Sequence, residues 1–185
     1  VSGMAGALGA TMLRMVCNFT VGKKKYKDVE TQAAEILKKG EALTADLLAL
    51  CVRDTEAYQE VSSAYALPRE TEEQKTARKS RIAAACAGAM AVPEEIAEKC
   101  LLLLENLREL VDIGNPNLIT DTGVAALLSQ AALECALLNI RINLSFMDDA
   151  ALVSEKNART EELSKKALYA RDEVMEKVNR KMSSE

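Results

Sequence analysis

The chain has 185 residues, of which 49% are apolar and 28% charged, a composition typical of a folded domain that excludes a disordered or collagen-like chain. Its net charge is −4 and only 3% of its residues are aromatic, so we expect no nucleic-acid partner. Histidine is absent, which excludes histidine-based triads and histidine-ligated zinc. If the chain is an enzyme, its proton carrier is therefore Asp, Glu, Lys, Tyr or Cys.

No long stretch alternates polar and apolar residues, and glycine and proline are scarce. We therefore predict an all-α fold, a single-domain bundle of about six helices without a sheet, covering residues 1–185. The predicted helices are residues 2–21, 27–67 with a break at Gly40, 72–91 capped by Thr71, a fourth with Pro93 in its first turn that reaches Ile113, 122–146, and a last helix from Asp148 or Asp149 to residue 182.

The first predicted helix carries Gly3, Gly6 and Gly9 at a spacing of three, which lets a neighbouring backbone approach closely. Gly22 is a candidate C-cap, and the basic run Lys23, Lys24, Lys25, Tyr26 and Lys27 follows it. On an acidic protein this run is either a solvated helix end or a docking site for a polyanionic ligand tail.

A stripe along the second helix contains one carboxylate, Asp54, among apolar or amphipathic residues. Its members recur every three or four residues and share one helix face: Leu47, Cys51, Asp54, Tyr58, Val61 and Tyr65. If this face meets the core, burial would raise the pKa of Asp54. Asp54 is then either a structural carboxylate held by a backbone amide or a lysine, or a functional one.

Three polar residues near the apolar fifth helix are further candidates. Asp121 is interpreted as the N-cap of this helix, at a position where a ligand anion is also favoured. Asn139 and Asn143 are four apart and share one face. Their amides either bridge helices or hydrogen-bond a heterocyclic ligand. The helix itself is apolar all round, so we expect it to be buried.

The cysteines show no metal-ligand spacing, and the odd count argues against a disulfide framework. We predict buried free thiols, no metal site and a reducing, cytoplasmic environment. The apolar N-terminal run is interrupted by Arg14 and precedes its basic cluster, so we expect neither a secretory signal nor a membrane partner.

Several motifs together resemble the formiminotransferase-cyclodeaminase C-terminal family, which includes stand-alone methenyltetrahydrofolate cyclohydrolases. The matching stretches occur in the family's order across essentially the whole chain: residues 1–9, 20–26, 54–58, 66–68, 92–93, 114–121 and 139–144. Family members also carry a Pro-Gly-Gly-Gly-Ser run just before the position of Val1, so we expect an upstream Gly-rich segment to be missing from this chain.

The resemblance implies an all-helical, usually dimeric enzyme that acts on one-carbon tetrahydrofolates. It places the family's proposed catalytic aspartate on Asp54 and offers Lys23–Tyr26 as a folate contact, because folate and any further glutamates carry carboxylates. The expected activity is hydrolysis of 5,10-methenyltetrahydrofolate to 10-formyltetrahydrofolate, with no metal and no cofactor beyond the folate itself. The alternatives are a formiminotetrahydrofolate cyclodeaminase that releases ammonia, or a non-catalytic helical folate-binding or scaffold protein.

Overall fold

The computed structural model describes residues 1–183, and every regular element in this range is helical. The α-helices are α1 Ser2–Asn18, α2 Glu30–Tyr65, α3 Glu72–Ala89, α4 Ala91–Ile113, α5 Ile119–Leu144 and α6 Ala150–Met182. Two short 3₁₀ segments, Lys24–Val29 and Pro116–Leu118, precede α2 and α5. No strand occurs in these 183 residues, so the predicted all-α class is confirmed.

Helix α1 packs closely against three other helices through its glycine face. A Cβ placed on Gly3 would lie 2.8 Å from Cys51 Sγ on α2, and one on Gly6 would lie 2.8 Å from Cys100 Sγ on α4. A Cβ on Gly9 would lie 2.7 Å from Ser129 Oγ on α5. Only the absence of a side chain at these three positions allows α1 to approach so closely.

Two predicted helix starts are confirmed by their caps. The Thr71 hydroxyl accepts a hydrogen bond from the Gln74 amide while the Gln74 side chain accepts one from the Thr71 amide, a capping box that begins α3. The carboxylate of Asp149 accepts bonds from the amides of Ala151 and Leu152 at the start of α6.

Two predicted boundaries are wrong. Helix α1 ends at Asn18 rather than at residue 21, and Gly22 adopts a left-handed φ of 74° within the following turn. Gly40 does not break α2, because α2 runs on to Tyr65 and packs Gly40 against Leu13 of α1.

The second half of α2 extends beyond the start of α1. Since α1 begins opposite Cys51, nothing from α1 covers the turns of α2 from Asp54 onward. These turns pack instead against α3, with a small apolar cluster formed by Ala64, Ile82 and Cys86. An open recess therefore forms between this end of α2 and the end of α5.

Helix α5 is only partly buried, so its predicted full burial is wrong. Pro116–Leu144 is long and apolar enough to cross a membrane by length and composition, and half of its most apolar window is covered by neighbouring helices. The other face carries an exposed apolar row that we name the α5 stripe: Val124, Leu127, Ala131, Cys135, Leu138 and Ile142. Each member of the stripe follows the previous one by three or four residues, so the stripe forms one continuous surface.

Candidate active site

A cavity of about 440 Å³ lies between the second half of α2, the junction of α3 and α4, and the end of α5. We name it the Asp54 cavity. Its polar lining comes from Asp54, Thr55, Tyr58, Asn139 and Asn143. Its apolar lining comes from Ala57, Val61, Ala89, Pro93, Ile142 and Phe146. A concave, largely apolar site with a few converging polar groups is the usual form of a small-molecule site.

Asp54 is half-buried and lines this open cavity, so the face of α2 that carries it does not meet the core at this position. The predicted stripe does share one face of α2, but only its first member, Leu47, is fully buried. Beyond Cys51 the same face looks onto the recess, because α1 does not reach it. No hydrogen bond or ion pair joins Asp54 to another residue in the described range 1–183, so its carboxylate is available to a ligand.

Asp54 provides the only charge among the residues that line the Asp54 cavity in the described chain. The nearest basic neighbour in sequence, Arg53, turns away and forms an ion pair with Glu95 at 2.7 Å. A lone carboxylate beside apolar walls attracts a cationic ligand, and the attraction is stronger there than in bulk water.

Asn139 and Asn143 line the same cavity from α5, which brings three of the predicted site residues together. Asn143 donates its side-chain N–H to the carbonyl of Asn139 at 2.9 Å. The side-chain oxygen of Asn143 and both polar atoms of the Asn139 side chain have no hydrogen-bond partner in the described chain. The two residues are exposed or half-buried, so they do not bridge helices.

Phe146 and Pro93 are cavity residues that the sequence did not identify as site residues. Phe146 lies three residues beyond Asn143, so the helical spacing that linked Asn139 to Asn143 also predicts it on the same side of the chain. Pro93 lines the cavity because α4 begins at Ala91, which places Pro93 in the first turn of α4.

The basic run lies at the opposite end of the molecule. The backbone N–H of Gly22 donates a hydrogen bond to the side chain of Glu30, at the start of α2. Along α2, Asp54 follows Glu30 by 24 residues, a distance of about 36 Å at ~1.5 Å per residue. The Tyr26 hydroxyl donates to the side-chain oxygen of Asn115 at 2.9 Å. Lys23, Lys24, Lys25 and Tyr26 therefore do not meet Asp54 within one chain.

Asp121 lies at this same distant end and is not the N-cap of α5. The helix begins at Ile119 after Leu118, so Asp121 belongs to its first turn, where a carboxylate is favoured by the helix dipole. It is separated from Asn143 by 22 residues of helix, about 33 Å. The predicted site residues thus form two groups at opposite ends of the bundle.

The thiols divide by burial, and not all are buried as predicted. Burial raises the pKa of both Cys17 and Cys100 to about 12 and also raises the pKa of Cys86. Cys51 is half-buried and Cys135 is exposed in the α5 stripe. Within residues 1–183 no group of three or more Cys, Asp or Glu side chains is placed to hold a metal ion.

The family model described as formiminotransferase-cyclodeaminase matches residues 1–162. A methenyltetrahydrofolate cyclohydrolase from Methylorubrum extorquens is 36% identical over 180 residues, which cover 97% of this chain and 86% of that protein. The formimidoyltransferase-cyclodeaminase of Rattus norvegicus is 28% identical over 167 residues, 90% of this chain but only 31% of that protein.

A solved structure has the same fold. The crystal structure of formiminotetrahydrofolate cyclodeaminase from Thermotoga maritima superposes with a TM-score of 0.85 and 28% sequence identity. The match covers 97% of this chain and 85% of that one.

Proposed function

Because the chain belongs to the formiminotransferase-cyclodeaminase family, we propose that it is a one-carbon folate enzyme that hydrolyses 5,10-methenyltetrahydrofolate to 10-formyltetrahydrofolate. Asp54 is the general base of this proposal, and Asn139 and Asn143 contact the folate. The observation that carries it is the placement of one unpaired carboxylate in an otherwise uncharged cavity.

The substrate's chemistry matches this cavity. The methenyl bridge is an amidinium cation whose bridging carbon is already electrophilic, so a carboxylate stabilises it and also accepts a proton from an attacking water. The water oxygen bonds to the bridging carbon, the bond from that carbon to N5 breaks, and N5 takes up a proton. One proton is released to solvent overall. Such general-base assistance contributes about 10²- to 10⁴-fold to the rate.

Cyclodeamination of formiminotetrahydrofolate is the second candidate, favoured by the likeness to the Thermotoga maritima structure. In that reaction the folate's anilino nitrogen attacks the formimino carbon and ammonia leaves. One carboxylate that moves a proton serves either reaction. We rank hydrolysis first because the chain is more similar to the Methylorubrum extorquens protein and spans 86% of it.

The test is the loss of methenyltetrahydrofolate absorbance with wild type, Asp54→Asn and the control Glu56→Gln. Glu56 lies two residues away, is exposed and is outside the Asp54 cavity. We expect a loss of about 10²-fold or more in Asp54→Asn and none in Glu56→Gln. Turnover retained by Asp54→Asn contradicts the assignment of the base. Ammonia release from formiminotetrahydrofolate without hydrolysis supports the second candidate, and folate binding without either reaction supports a binding protein.

We also propose that the enzyme needs no metal and no cofactor beyond the folate substrate. We expect turnover to be unchanged after dialysis against EDTA. A reducing, cytoplasmic environment is also proposed, supported by five cysteines that are all free.

We further propose a homodimer formed through the α5 stripe. Monomeric proteins rarely expose a continuous apolar surface of this kind. Leu8 is also exposed and lies on α1, which packs directly against α5.

A two-fold dimer also accounts for the two separated groups of predicted site residues. If the axis crosses the stripe between Ala131 and Cys135, the two α5 helices are antiparallel, and residue 121 of one chain lies near residue 145 of the other. Asp121 and the Lys23–Tyr26 run of one copy would then approach the Asp54 cavity of its partner. Each proposed active site takes its base, Asp54, from one chain, and Asp121 and the Lys23–Tyr26 run from the other.

A further inference from the structure

A second cavity, of about 480 Å³, adjoins the Asp54 cavity and shares Phe146 with it. It lies between the end of α2, the first half of α3 and the segment that follows α5. We name it the cationic pocket because its lining includes four basic side chains: Arg69, Lys75, Arg78 and Lys79. Its one acidic lining residue is Asp148.

The charges of the cationic pocket are only partly neutralised. Lys79 pairs with Asp148 at 2.7 Å, and Lys75 pairs with Glu72 at 2.6 Å. Arg69 has no hydrogen bond or ion pair within residues 1–183. The pocket therefore keeps net positive charge on a protein whose overall charge is −4.

Arg78 is held in place by the backbone. Its Nε and one Nη donate to the carbonyl oxygen of Tyr65 at 3.3 and 3.1 Å, and its guanidinium lies 5.4 Å from the centre of the Tyr65 ring. The remaining N–H groups of the guanidinium have no partner in the described chain. An arginine fixed in this way loses little side-chain entropy when it binds a carboxylate.

The two cavities are spaced for one elongated ligand. Eleven residues of α2 separate Asp54 from Tyr65, a distance of about 16 Å along the helix. The ring of Phe146 forms a wall of both cavities between these positions. A folate is elongated in the same order, with its one-carbon end, then a flat p-aminobenzoyl ring, then the carboxylates of its glutamate.

We propose that the cationic pocket binds the glutamate carboxylates of the folate, with Arg69 and Arg78 as their ligands. This assignment rests on the proposed function. The one-carbon end occupies the Asp54 cavity and the p-aminobenzoyl ring lies against Phe146. Both ends of the substrate are then held by one chain, whereas the Lys23–Lys25 run lies about 36 Å from Asp54 along α2. Within one chain, that basic run therefore does not reach the first glutamate.

The test is equilibrium binding of two stable ligands, 5-formyltetrahydrofolate and 5-formyltetrahydropteroate, which lacks the glutamate. Titration calorimetry is done on wild type, Arg69→Gln, Arg78→Gln and the control Arg81→Gln. Arg81 lies on the same helix as Arg78 but pairs with Glu60 and lies outside the cationic pocket. We expect wild type to bind the glutamate-containing ligand about tenfold or more tightly, and each pocket variant to lose most of that preference. The pteroate affinity should not change in any variant.

Arg69 makes no hydrogen bond or ion pair within residues 1–183, so Arg69→Gln keeps the test decisive if Arg78→Gln is unstable. Equal preference in wild type and both pocket variants overturns the proposal, as does an equal loss in Arg81→Gln. The proposal is also overturned if the wild type binds the two ligands with equal affinity, or if it binds neither ligand. A preference that depends on Arg69 and Arg78 in a protein that turns over neither folate substrate supports the pocket and contradicts the proposed catalysis. Turnover of either folate substrate without this preference supports the proposed catalysis and contradicts the proposed role of the cationic pocket.

Discussion

The rings of Tyr65 and Phe146 meet edge to face, with their centroids 6.0 Å apart and their planes at 82°. The contact joins the end of α2 to the segment after α5, at the boundary between the Asp54 cavity and the cationic pocket. The backbone carbonyl of Tyr65 also accepts the hydrogen bonds from Arg78, so Tyr65 contacts both the proposed ring wall and the proposed carboxylate ligand.

Phe146→Leu should weaken binding of 5-formyltetrahydrofolate about two- to tenfold, since leucine keeps the apolar volume and loses the flat aromatic face. The chain's other phenylalanine, Phe19, is exposed at the opposite end of the bundle, so Phe19→Leu is the matched control. Calorimetric dissociation constants provide the measurement. Equal affinities in the two variants would show that Phe146 does not contact the ligand.

Leu127→Glu should dissociate the proposed dimer, because it introduces a charge into the α5 stripe, which the dimer would bury. Leu168→Glu is the control, since Leu168 on α6 is 45% exposed, close to the 43% of Leu127, and lies outside the stripe. Sedimentation equilibrium measures the mass of each. We expect a dimer for wild type and Leu168→Glu, and a monomer for Leu127→Glu.

A monomeric wild type would contradict the dimer directly. Flotation of wild type with phospholipid vesicles, abolished by Leu127→Glu, would instead assign the stripe to a membrane surface.

Gly9→Ala should lower the free energy of unfolding by about 1–3 kcal/mol, because the added methyl meets Ser129 Oγ at 2.7 Å and the Ala125 carbonyl oxygen at 3.2 Å. Gly88→Ala should raise it by about 0.5–1 kcal/mol, because Gly88 is also helical and has no atom within 4 Å of the added Cβ. Urea unfolding of both variants separates packing from helix propensity. Equal shifts in the two midpoints would contradict the packing described for α1.

The thiols should react with iodoacetamide in the order of their exposure, with Cys135 first and Cys17 and Cys100 last. The thiolate is the reactive form, and a pKa of about 12 leaves roughly one part in ten thousand of Cys17 ionised at pH 8. Mass spectrometry of timed digests gives the order. If the α5 stripe is an interface, Cys135 should also react more slowly as the protein concentration rises. Early labelling of Cys100 in folded protein would contradict its burial.

Helix type and most boundaries were predictable because local signals agree with the tertiary structure. Thr71 and Asp149 satisfy the backbone groups they precede, and the glycines of α1 are spaced to face neighbouring helices. The errors have a common physical cause. Gly40 and Asp121 were assigned from local propensity, whereas packing against Leu13 and an earlier helix start at Ile119 decide their environments.

Part of the lining of the candidate active site could be predicted from residue spacing, and the rest could not. Spacing along α2 and α5 identified Asp54, Asn139 and Asn143, because residues that share a helix face stay together in space. Spacing does not tell whether that face meets a core or a recess, and the structure shows that Asp54 lies at a recess. The cationic pocket combines residues from three segments, and no local pattern predicts which side chains those segments bring together.

The proposed dimer, in which the two ends of the bundle meet across the two-fold axis, has a genetic consequence. A chain with Asp54→Asn and a chain with Lys24→Glu would each be defective as homodimers, yet a mixed dimer would unite the intact Asp54 of one with the intact basic run of the other. Random pairing of equal amounts makes about half of the dimers mixed, each with one working site of two, so about a quarter of the wild-type activity should return. A cell that carries both defective alleles would then grow where neither allele alone suffices.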